Sequence, residues 1–546
     1  MKRRFIKKKP AAIATPKFQL KPEYKEKVRI QSYLGKKGYT IPKVVLEAED
    51  LVQLKEILLL KPFVPGPQQK EETAFPVYRE NTAKIYLPRF FGIERYGLPD
   101  RSELSIGESI DCAFTKDLRD YQHKIINIYL DHVRKPIISG SPLDCGGGAI
   151  LEVPCGRGKT VMALKIISEI QKKTLILVHK EFLMNQWIER IAEFLPSARV
   201  GKIQGQTIDI EGKDIVIGMI QTMYNRDFPA EFFDPFGLTI IDEVHRIGSE
   251  EFSKTLFKTV TPNMLGISAT VERKDKLTKL LYMFIGPKIY SEDRKDNDVV
   301  QVRGIEFGSN DPAYSTMEYD FRGNPKYSTM ITKICEFGPR SDFIVRIIDD
   351  LLKENPENQI MVLAHNRSLL AYLFDAIQYK IGEQRGSVGF YIGGMKEKDL
   401  KITEGKRIVL ATYAMAAEAL DIKTLSTLVM ATPKTDIEQS VGRILRAKHS
   451  SPIVVDIIDA HDLFKNQWRS RKTFYKKCDY RILYTNSTKY GGFVKPDGIE
   501  PIDLSKDTNW KVEFEPKNTK KEESKEGCHK EPIVAKCAID IPAGFE

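Results

Sequence analysis

The sequence has no apolar run long enough to cross a membrane. The run Ile57–Leu60 is bracketed by Glu56 and Lys61, whereas a membrane-spanning helix needs about 20 mostly apolar residues. Cysteine is scarce: seven cysteines are scattered over 546 residues without a CxxC pair, which argues against a disulfide framework or a zinc ribbon. No apolar segment follows the basic first ten residues, so no secretory signal is indicated. We therefore expect an intracellular, reducing compartment, the cytoplasm or nucleus, and no membrane partner.

What the sequence does contain is enough material for several globular cores. Hydrophobic residues make up 42% and charged residues 29%, which excludes a wholly disordered or fibrous chain. At about 150 residues per domain, the length predicts three to four units. The net charge of +11 allows binding to a polyanion without identifying one.

From about residue 114 onwards, short apolar segments rich in β-formers alternate with amphipathic helical stretches, a pattern typical of parallel sheets with crossover helices. The predicted strands fall into two sets. The first set is Ala149–Val153, Thr174–Val178, Asp214–Met219, Leu238–Ile241 and Met264–Ser268. The second set is Ile360–His365, Val388–Ile392, Arg407–Thr412, Thr427–Ala431 and Pro452–Ile458.

The predicted fold class is therefore α/β, with two parallel-sheet domains in tandem. We place these domains at residues 114–290 and 327–485, joined by a polar linker at 291–326. Residues 1–113 form a small N-terminal accessory region. Residues 486–546 are predicted to be a largely disordered tail, because their periodicity fades and Lys and Glu dominate much of the segment.

A glycine-rich turn follows the first predicted strand and precedes an amphipathic helix. Its residues are Val153, Pro154, Cys155, Gly156, Arg157, Gly158, Lys159 and Thr160. Such a turn directs backbone N–H groups and a helix N-terminus at one place, which suits phosphate oxygens. Lys159 would reach the β- and γ-phosphates and the Thr160 hydroxyl would ligate Mg²⁺. Val153 stands where the phosphate-loop pattern has its first glycine, so a chance glycine-rich turn is the alternative for this string alone.

An acidic pair at the end of another strand supports a nucleotide site. Asp242 and Glu243 follow the apolar run that begins at Leu238, at the carboxyl edge where parallel sheets bind ligands. Asp242 would hold Mg²⁺, and Glu243 would orient and deprotonate the attacking water. Together with the glycine-rich turn, the pair predicts Mg²⁺-dependent ATP hydrolysis.

Four segments in order along the chain resemble motifs I, II, III and VI of superfamily 2 helicases. They are Gly156–Thr160, Asp242-Glu243-Val244-His245, Ser268-Ala269-Thr270 and Gln439–Arg446. The resemblance covers about 114–485 and is closest to the XPB and UvsW branch, because of Leu118–Gln122 and Val178–Trp187. It implies two RecA-like domains and indicates a large-DNA-virus member similar to the transcript-release helicase of poxviruses, for which a virion is a further location.

The resemblance also implies individual roles. Gln122 matches the glutamine that recognises adenine, and Gln439, Arg443 and Arg446 match groups that act at the γ-phosphate, with Arg446 as arginine finger. Ser268 and Thr270 would couple phosphate state to the nucleic acid. Contacts to nucleic acid are expected at strand ends of both domains, from His179, Lys180, Gln221, Thr222, Arg273, Asn366, Arg367 and Thr412.

The resemblance thus implies an ATP-dependent helicase or translocase with ATP and Mg²⁺ as cofactors. DNA is favoured over RNA as partner, in viral transcription, replication or repair, with the transcription or replication machinery as further partners. An RNA helicase remains an alternative, since no residue identifies a reader of the 2′-hydroxyl. A non-hydrolysing scaffold with a helicase fold is the second alternative. The sequence indicates no oligomeric state.

Overall fold

A computed structural model describes residues 20–62, 74–134, 146–154, 156–229, 231–244, 249–269, 271–272, 277–292, 300–383, 386–418, 422, 424–442, 444, 452–495 and 500–516. The chain divides into two compact units. The first consists of the described residues up to Val153 together with Gly158–Glu292. The second consists of Pro154–Arg157 and the described residues from 300 to 516. No helix in the described ranges is long and apolar enough to cross a bilayer.

The N-terminal part of the first unit is a small mixed α and β region. Its elements are α1 (Pro22–Gln31), β1 (Tyr33–Gly35), β2 (Gly38–Pro42), a 3₁₀ turn (Lys43–Val45), α2 (Ala48–Ile57), β3 (Leu59–Leu60), β4 (Phe75–Pro76), β5 (Arg79–Glu80), β6 (Lys84–Leu87) and α3 (Arg89–Tyr96). Four of these strands form an antiparallel sheet in the order β1-β2-β6-β5.

The larger part of the first unit is a sheet flanked by helices. Its strands are β7 (Gly148–Glu152), β8 (Thr174–Val178), β9 (Val200–Gln204), β10 (Thr207–Ile208), β11 (Ile215–Met219), β12 (Leu238–Asp242), β13 (Asn263–Ser268) and β14 (Lys288–Ser291). Its helices are α4 (Asp120–Arg134), α5 (Lys159–Ile170), α6 (Glu181–Phe194), α7 (Ile220–Asn225), α8 (Ser249–Leu256) and α9 (Thr278–Ile285). The strand order is β10-β9-β11-β8-β12-β13-β7-β14, and every pairing except β10 with β9 is parallel.

The second unit repeats this architecture. Its strands are β15 (Gln301–Phe307), β16 (Gln359–Ala364), β17 (Val388–Tyr391), β18 (Ile408–Thr412), β19 (Leu425–Met430), β20 (Ile453–Asp459), β21 (Arg481–Asn486) and β22 (Lys511–Phe514). Its helices are α10 (Pro312–Ser315), α11 (Tyr327–Glu336), α12 (Gly338–Glu354), α13 (Arg367–Lys380), α14 (Glu397–Glu404), α15 (Tyr413–Glu418), α16 (Glu438–Val441) and α17 (Asp462–Lys477). The order is β17-β18-β16-β19-β20-β15-β21-β22, with only the pairing of β21 and β22 antiparallel.

The central strands are buried along their whole length, as expected when helices cover both faces of a parallel sheet. Strands β8, β12, β16 and β20 have no exposed residue. The accessory region shares a hydrophobic core with the first α/β sheet. Its buried Arg89 donates hydrogen bonds to the carbonyls of Thr261, Pro262 and Gly146, which gives both terminal nitrogens of this charged group partners inside the unit.

The ten strands predicted from apolar runs are confirmed, with ends that agree within two residues. The fold class, two parallel-sheet α/β domains in tandem, is confirmed as well. The structure differs in two segments expected to be irregular. Strand β15 lies within the expected linker and pairs with both β20 and β21. Strand β22 lies within the expected tail, of which residues 517–546 are outside the described residues.

Candidate functional site

The glycine-rich turn occupies the connection between β7 and α5. Strand β7 ends at Glu152 and α5 begins at Lys159. Gly156 has φ of 82° and Gly158 has φ of 77°, a left-handed conformation that glycine adopts without steric cost. Predicted residues Val153, Pro154, Gly156, Arg157, Lys159 and half-buried Thr160 lie along this connection, whereas Cys155 is outside the described residues.

The structure places Gln122 against this turn. Its side-chain Oε1 accepts a hydrogen bond from the backbone N–H of Arg119 at 3.0 Å. A Cβ atom at position 158 would lie only 2.5 Å from Gln122 Nε2. The Gln122 amide can therefore pack here because residue 158 is a glycine. A glutamine and a turn 36 positions apart in the sequence are therefore adjacent.

The acidic pair lies beside the lysine of the turn. Lys159 Nζ is 2.9 Å from Glu243 Oε1, within one compact unit. Glu243 has φ of 49°, a left-handed conformation that is uncommon outside glycine and clusters at functional sites. Its backbone N–H donates to the Ile267 carbonyl at 3.0 Å and to Asp242 Oδ1 at 2.9 Å, which holds the strained backbone in place.

Asp242 is a buried carboxyl group at the end of β12. The indole Nε1–H of Trp187 donates to Asp242 Oδ2 at 3.0 Å. Burial and the neighbouring Glu243 charge raise the pKa of Asp242 to about 6, against the lowering effects of Lys159 and Trp187. A buried carboxylate that resists ionisation gains from a nearby cation, so Asp242 suits a divalent metal.

We expect Asp242 to give the metal-free protein a distinct pH dependence. The pKa of an Asp carboxyl group is near 4 in the unfolded chain, and the pKa of Asp242 is about 6 in the folded chain. The protonated carboxyl group therefore stabilises the fold fully below about pH 4. This contribution is lost as the pH rises through about 6. The melting temperature of the wild type relative to Asp242→Asn should therefore fall between pH 4.5 and pH 7, measured in EDTA by circular dichroism. A difference that stays flat over this range would contradict the assignment.

Four predicted nucleic-acid residues of the first unit lie at the same edge of the sheet. His179 and Lys180 follow β8, while Gln221 and Thr222 lie in the first turn of α7, after β11. Gln221 Nε2 donates to the His179 carbonyl at 3.0 Å. The Thr222 hydroxyl accepts from the Gly205 N–H at 2.9 Å. The hydrogen bond between Gln221 and His179 thereby joins the segments that follow the adjacent parallel strands β11 and β8.

The second unit brings its three predicted residues to one sheet edge in the same way. Asn366 and Arg367 follow β16, and Thr412 ends the adjacent β18, in register with Ala364. The Arg367 guanidinium donates to the Gly393 carbonyl at 2.6 Å, so part of its donor capacity is used within the unit.

A further contact supports this edge of the second unit. The Thr432 hydroxyl lies 2.8 Å from His365 Nδ1, and the Thr432 carbonyl accepts from the Tyr413 hydroxyl at 2.6 Å. Burial, with a further effect of Lys434, lowers the pKa of His365 to about 4. This histidine therefore stays neutral and acts in packing.

Several predicted residues lie outside the described residues: Arg273, Thr270, Arg443 and Arg446. The backbone of Gln439 belongs to α16, while its side chain is outside the description. Ser268 ends β13 as a fully buried residue, and its carbonyl accepts from the Val153 N–H at 2.8 Å. The third motif is thus tied to the start of the glycine-rich turn.

Sequence analysis assigned no role to two residues that the structure places at this site. Trp187 bonds Asp242, as described above. Glu152, the last residue of β7, accepts hydrogen bonds from the Val271 N–H at 2.8 Å, from Lys288 Nζ at 2.7 Å and from the Ser291 hydroxyl at 2.6 Å. Burial raises the pKa of Glu152, but these hydrogen bonds outweigh burial and hold it below its usual value. An acidic residue ending an apolar strand was the available signal.

A strand, a glycine-rich turn and a helix, beside an acidic strand end on a parallel sheet, define the phosphate-loop class of nucleotide-binding proteins. Comparison with known proteins agrees with this class. The family described as "Type III restriction enzyme, res subunit" matches residues 115–273.

Similar proteins extend the match over most of the chain. L396 of Acanthamoeba polyphaga mimivirus, named as an ATP-dependent RNA helicase, is 34% identical over 463 residues, covering 83% of this chain and 86% of L396. QP509L of African swine fever virus, also named as an ATP-dependent RNA helicase, is 26% identical over 462 residues. The match covers 79% of this chain and 86% of QP509L. "DNA 3'-5' translocase XPB2" of Sulfurisphaera tokodaii is 22% identical and covers 74% of this chain and 95% of its own. The chain belongs to the superfamily 2 ATP-dependent helicases, in the group from large DNA viruses.

Proposed function

We propose that the first unit binds Mg²⁺ and ATP at the edge formed by β7, β12 and α5. The fit rests on the left-handed Gly158, on Lys159 at the start of α5, and on the buried Asp242. Backbone N–H groups of the turn and Lys159 would hold phosphate oxygens, Gln122 would contact adenine, and Thr160 with Asp242 would hold the metal. When bound, Mg²⁺ neutralises charge on the transferred phosphoryl group.

The 2.9 Å ion pair between Lys159 and Glu243 suggests how phosphate binding activates the base. The ammonium group cannot serve the carboxylate and a phosphate equally well, so phosphate oxygens compete for Lys159. Glu243 loses its cationic partner in this exchange and becomes a better proton acceptor, since a nearby cation lowers carboxylate basicity. The carboxylate then orients and deprotonates the attacking water.

In this proposal the second domain supplies the remaining catalytic residues. Gln439, Arg443 and Arg446 act at the γ-phosphate, where guanidinium groups stabilise the charge of the transition state. Residues 114–290 form the ATP-binding domain and 327–485 form the core of the second domain, to which β15 also contributes a strand. Hydrolysis changes the affinity of the two domains for the nucleotide. The resulting domain movement drives the protein along a strand.

We propose duplex DNA as the track, in viral transcription, replication or repair. The observation that supports a nucleic-acid track is the common edge shared by the nucleotide site and the bonded pair Gln221 and His179. Amides, hydroxyls and cations at strand ends suit sequence-independent contact with a phosphate backbone. The name of the Sulfurisphaera tokodaii relative, a DNA translocase, supports DNA in particular.

An RNA track is the second candidate, because L396 and QP509L are both named as RNA helicases. One panel separates the two: ATP hydrolysis is measured with blunt duplex DNA, single-stranded DNA, single-stranded RNA and duplex RNA at one fixed salt concentration, because affinity depends on salt. The largest stimulation is expected with duplex DNA. Stimulation by RNA alone would establish the second candidate and reject the first.

We expect Gln221→Ala to reduce nucleic-acid stimulation about tenfold, because one polar contact is worth about 1.5 kcal/mol when a charged partner is involved. Hydrolysis without nucleic acid should change little. Gln378→Ala is the matched control, since Gln378 is an exposed glutamine on α13. Equal stimulation of the wild type and both variants would show that Gln221 does not contact the nucleic acid.

A further inference from the structure

A cleft of about 830 Å³ lies inside the first unit, between the accessory sheet and the α/β sheet. One wall carries Lys36 and Lys37 of the turn joining β1 and β2, together with Tyr86 of β6. The opposite wall carries Tyr224 of α7 and Lys254 of α8. The volume lies within the range of about 300–1,000 Å³ that small-molecule sites occupy.

Each wall pairs an aromatic ring with an ammonium group. Lys37 Nζ lies 5.2 Å from the centre of the Tyr86 ring, and Lys254 Nζ lies 4.8 Å from the centre of the Tyr224 ring. Both rings are partly exposed to solvent, where such cation–π contacts are weak. Lys254 Nζ also lies 2.7 Å from Glu250 Oε1, so this cation is shared between a carboxylate and the ring. A base can stack on such a ring face while the neighbouring ammonium group attracts its phosphate.

The carboxylates that line the cleft are balanced by cations. Glu80 lies 2.7 Å from Lys43 and 2.8 Å from Lys55, and these two hydrogen bonds lower its pKa. Asp234 lies 2.6 Å from Lys36 across the cleft. The other two lining carboxylates, Asp227 and Glu103, lie 3.6 Å from Lys258 and 3.1 Å from Arg101. The lining therefore does not repel a phosphate chain.

Helix α7 links the edge that carries the expected nucleic-acid contacts to one wall of the cleft. Tyr224 stands three positions after Gln221 on α7, and residues three apart on a helix share a face. Lys258 Nζ donates to the carbonyls of Met223 and Arg226 at 3.1 and 2.7 Å, which fixes the end of α7 and thus the position of Tyr224. The Gln221 contact and the Tyr224 wall of the cleft therefore lie on one helix, while Phe236 and Val260 extend the cleft toward the starts of β12 and β13.

We propose that this cleft binds unpaired nucleotides of the nucleic-acid track, with bases stacked on Tyr86 and Tyr224 and phosphates at Lys37 and Lys254. The inference rests on the proposed nucleic-acid function, because it extends the track that passes Gln221. Lys37 moves from its ring face to a phosphate as a base takes its place, and Lys254 does so by exchanging its Glu250 partner for the phosphate. The accessory region thereby holds the unpaired strand while the α/β domains move.

The first test measures affinity for duplexes with and without a ten-nucleotide single-stranded tail, in DNA and RNA forms, at one salt concentration. Tyr86→Ala and Tyr224→Ala should each weaken binding of the tailed duplex about tenfold, since each removes the ring on which one base stacks. The corresponding Phe variants keep the ring and should retain most of the affinity. Tyr379→Ala is the control, because Tyr379 is 90% exposed in the second unit. Wild-type affinity for tails in both Ala variants would overturn the proposal.

A second test does not depend on how the variants fold. Wild-type protein is bound to a duplex whose tail contains 5-iodouracil and is irradiated, and the linked residues are identified by mass spectrometry. Cross-links at Tyr86 or Tyr224 are expected, and cross-links confined to other surfaces would overturn the proposal. If Gln221→Ala weakens tail binding and the two Tyr→Ala variants do not, the cleft proposal fails while the proposed function stands. If none of the three weakens binding while duplex DNA still stimulates ATP hydrolysis, the cleft proposal fails and the proposed function stands without Gln221. If no nucleic acid stimulates hydrolysis, the proposed function fails.

Discussion

Glu243→Gln should lower the rate of ATP hydrolysis by about 10²–10⁴-fold, the usual contribution of a positioned general base. The amide of glutamine can still accept a hydrogen bond from Lys159, which lies 2.9 Å from Glu243 Oε1, but it cannot accept the proton of the attacking water. Nucleotide binding should persist, because the backbone of the turn and Lys159 are unchanged. Steady-state hydrolysis and equilibrium binding of a labelled ATP analogue measure the two effects separately.

The same substitution should also lower the pKa of Asp242. The Glu243 charge is one of the two causes that raise this pKa, so its removal shifts the Asp242 titration to lower pH. The pH dependence of stability described above should therefore move downward in Glu243→Gln. Two independent readouts, rate and titration, thus report on one side chain.

Glu251→Gln is the matched control, since Glu251 is an exposed glutamate on α8. It should hydrolyse ATP at the wild-type rate. If Glu243→Gln did so as well, with nucleic acid present, Glu243 would not be the base.

Asp456→Ala should destabilise the second unit by about 3–5 kcal/mol, the usual cost of removing one partner of a buried ion pair. Asp456 on β20 accepts two hydrogen bonds from Arg471, at 2.7 and 2.8 Å, and one from the Tyr475 hydroxyl at 3.0 Å. The side chain of Arg471 is 0% exposed and that of Asp456 is 1% exposed. Without Asp456, the guanidinium of Arg471 stays buried without its counter-charge.

The measurement is urea unfolding followed by tryptophan fluorescence. Trp468 and Trp510 belong to the second unit and Trp187 to the first. A Trp187→Phe background therefore reports on the second unit, and a Trp468→Phe/Trp510→Phe background reports on the first. Glu500→Ala is the control, because its ion pair with Lys495 is 63% and 54% exposed, and exposed pairs contribute about 0–1 kcal/mol. Equal loss of stability in Asp456→Ala and Glu500→Ala would show that burial does not govern the contribution of these pairs.

Apolar runs predicted ten strands, all of which except the edge strand β17 lie inside their sheets, because a strand covered by helices on both faces must be apolar along its length. The strands missed lie near the sheet edges or carry a mixed pattern. Strand β9 alternates buried and exposed residues, and β22 has no fully buried residue. Strand β15 is buried over most of its length, but the polar residues that precede and follow it made the whole segment resemble a linker.

The sequence also indicated most of the nucleotide site, because a phosphate loop and an acidic strand end are local patterns with fixed chemistry. It gave no role to Glu152 or Trp187, whose contacts involve residues far along the chain. Glu152 bonds Lys288 across 136 positions, and Trp187 bonds Asp242 across 55. Distances of this kind have no local signature.

The order of strands and helices, the glycine-rich turn and the acidic pair were determined by the sequence alone, since each depends on neighbouring residues and on the apolar period. The tertiary structure alone decided which strand ends are neighbours. Parallel pairing brings Val178 beside Met219 and Ser268 beside Glu152, and the accessory sheet meets α7 and α8 at the cleft. Such contacts arise only when the whole unit buries its apolar faces, so the pairing of distant segments follows from the complete core.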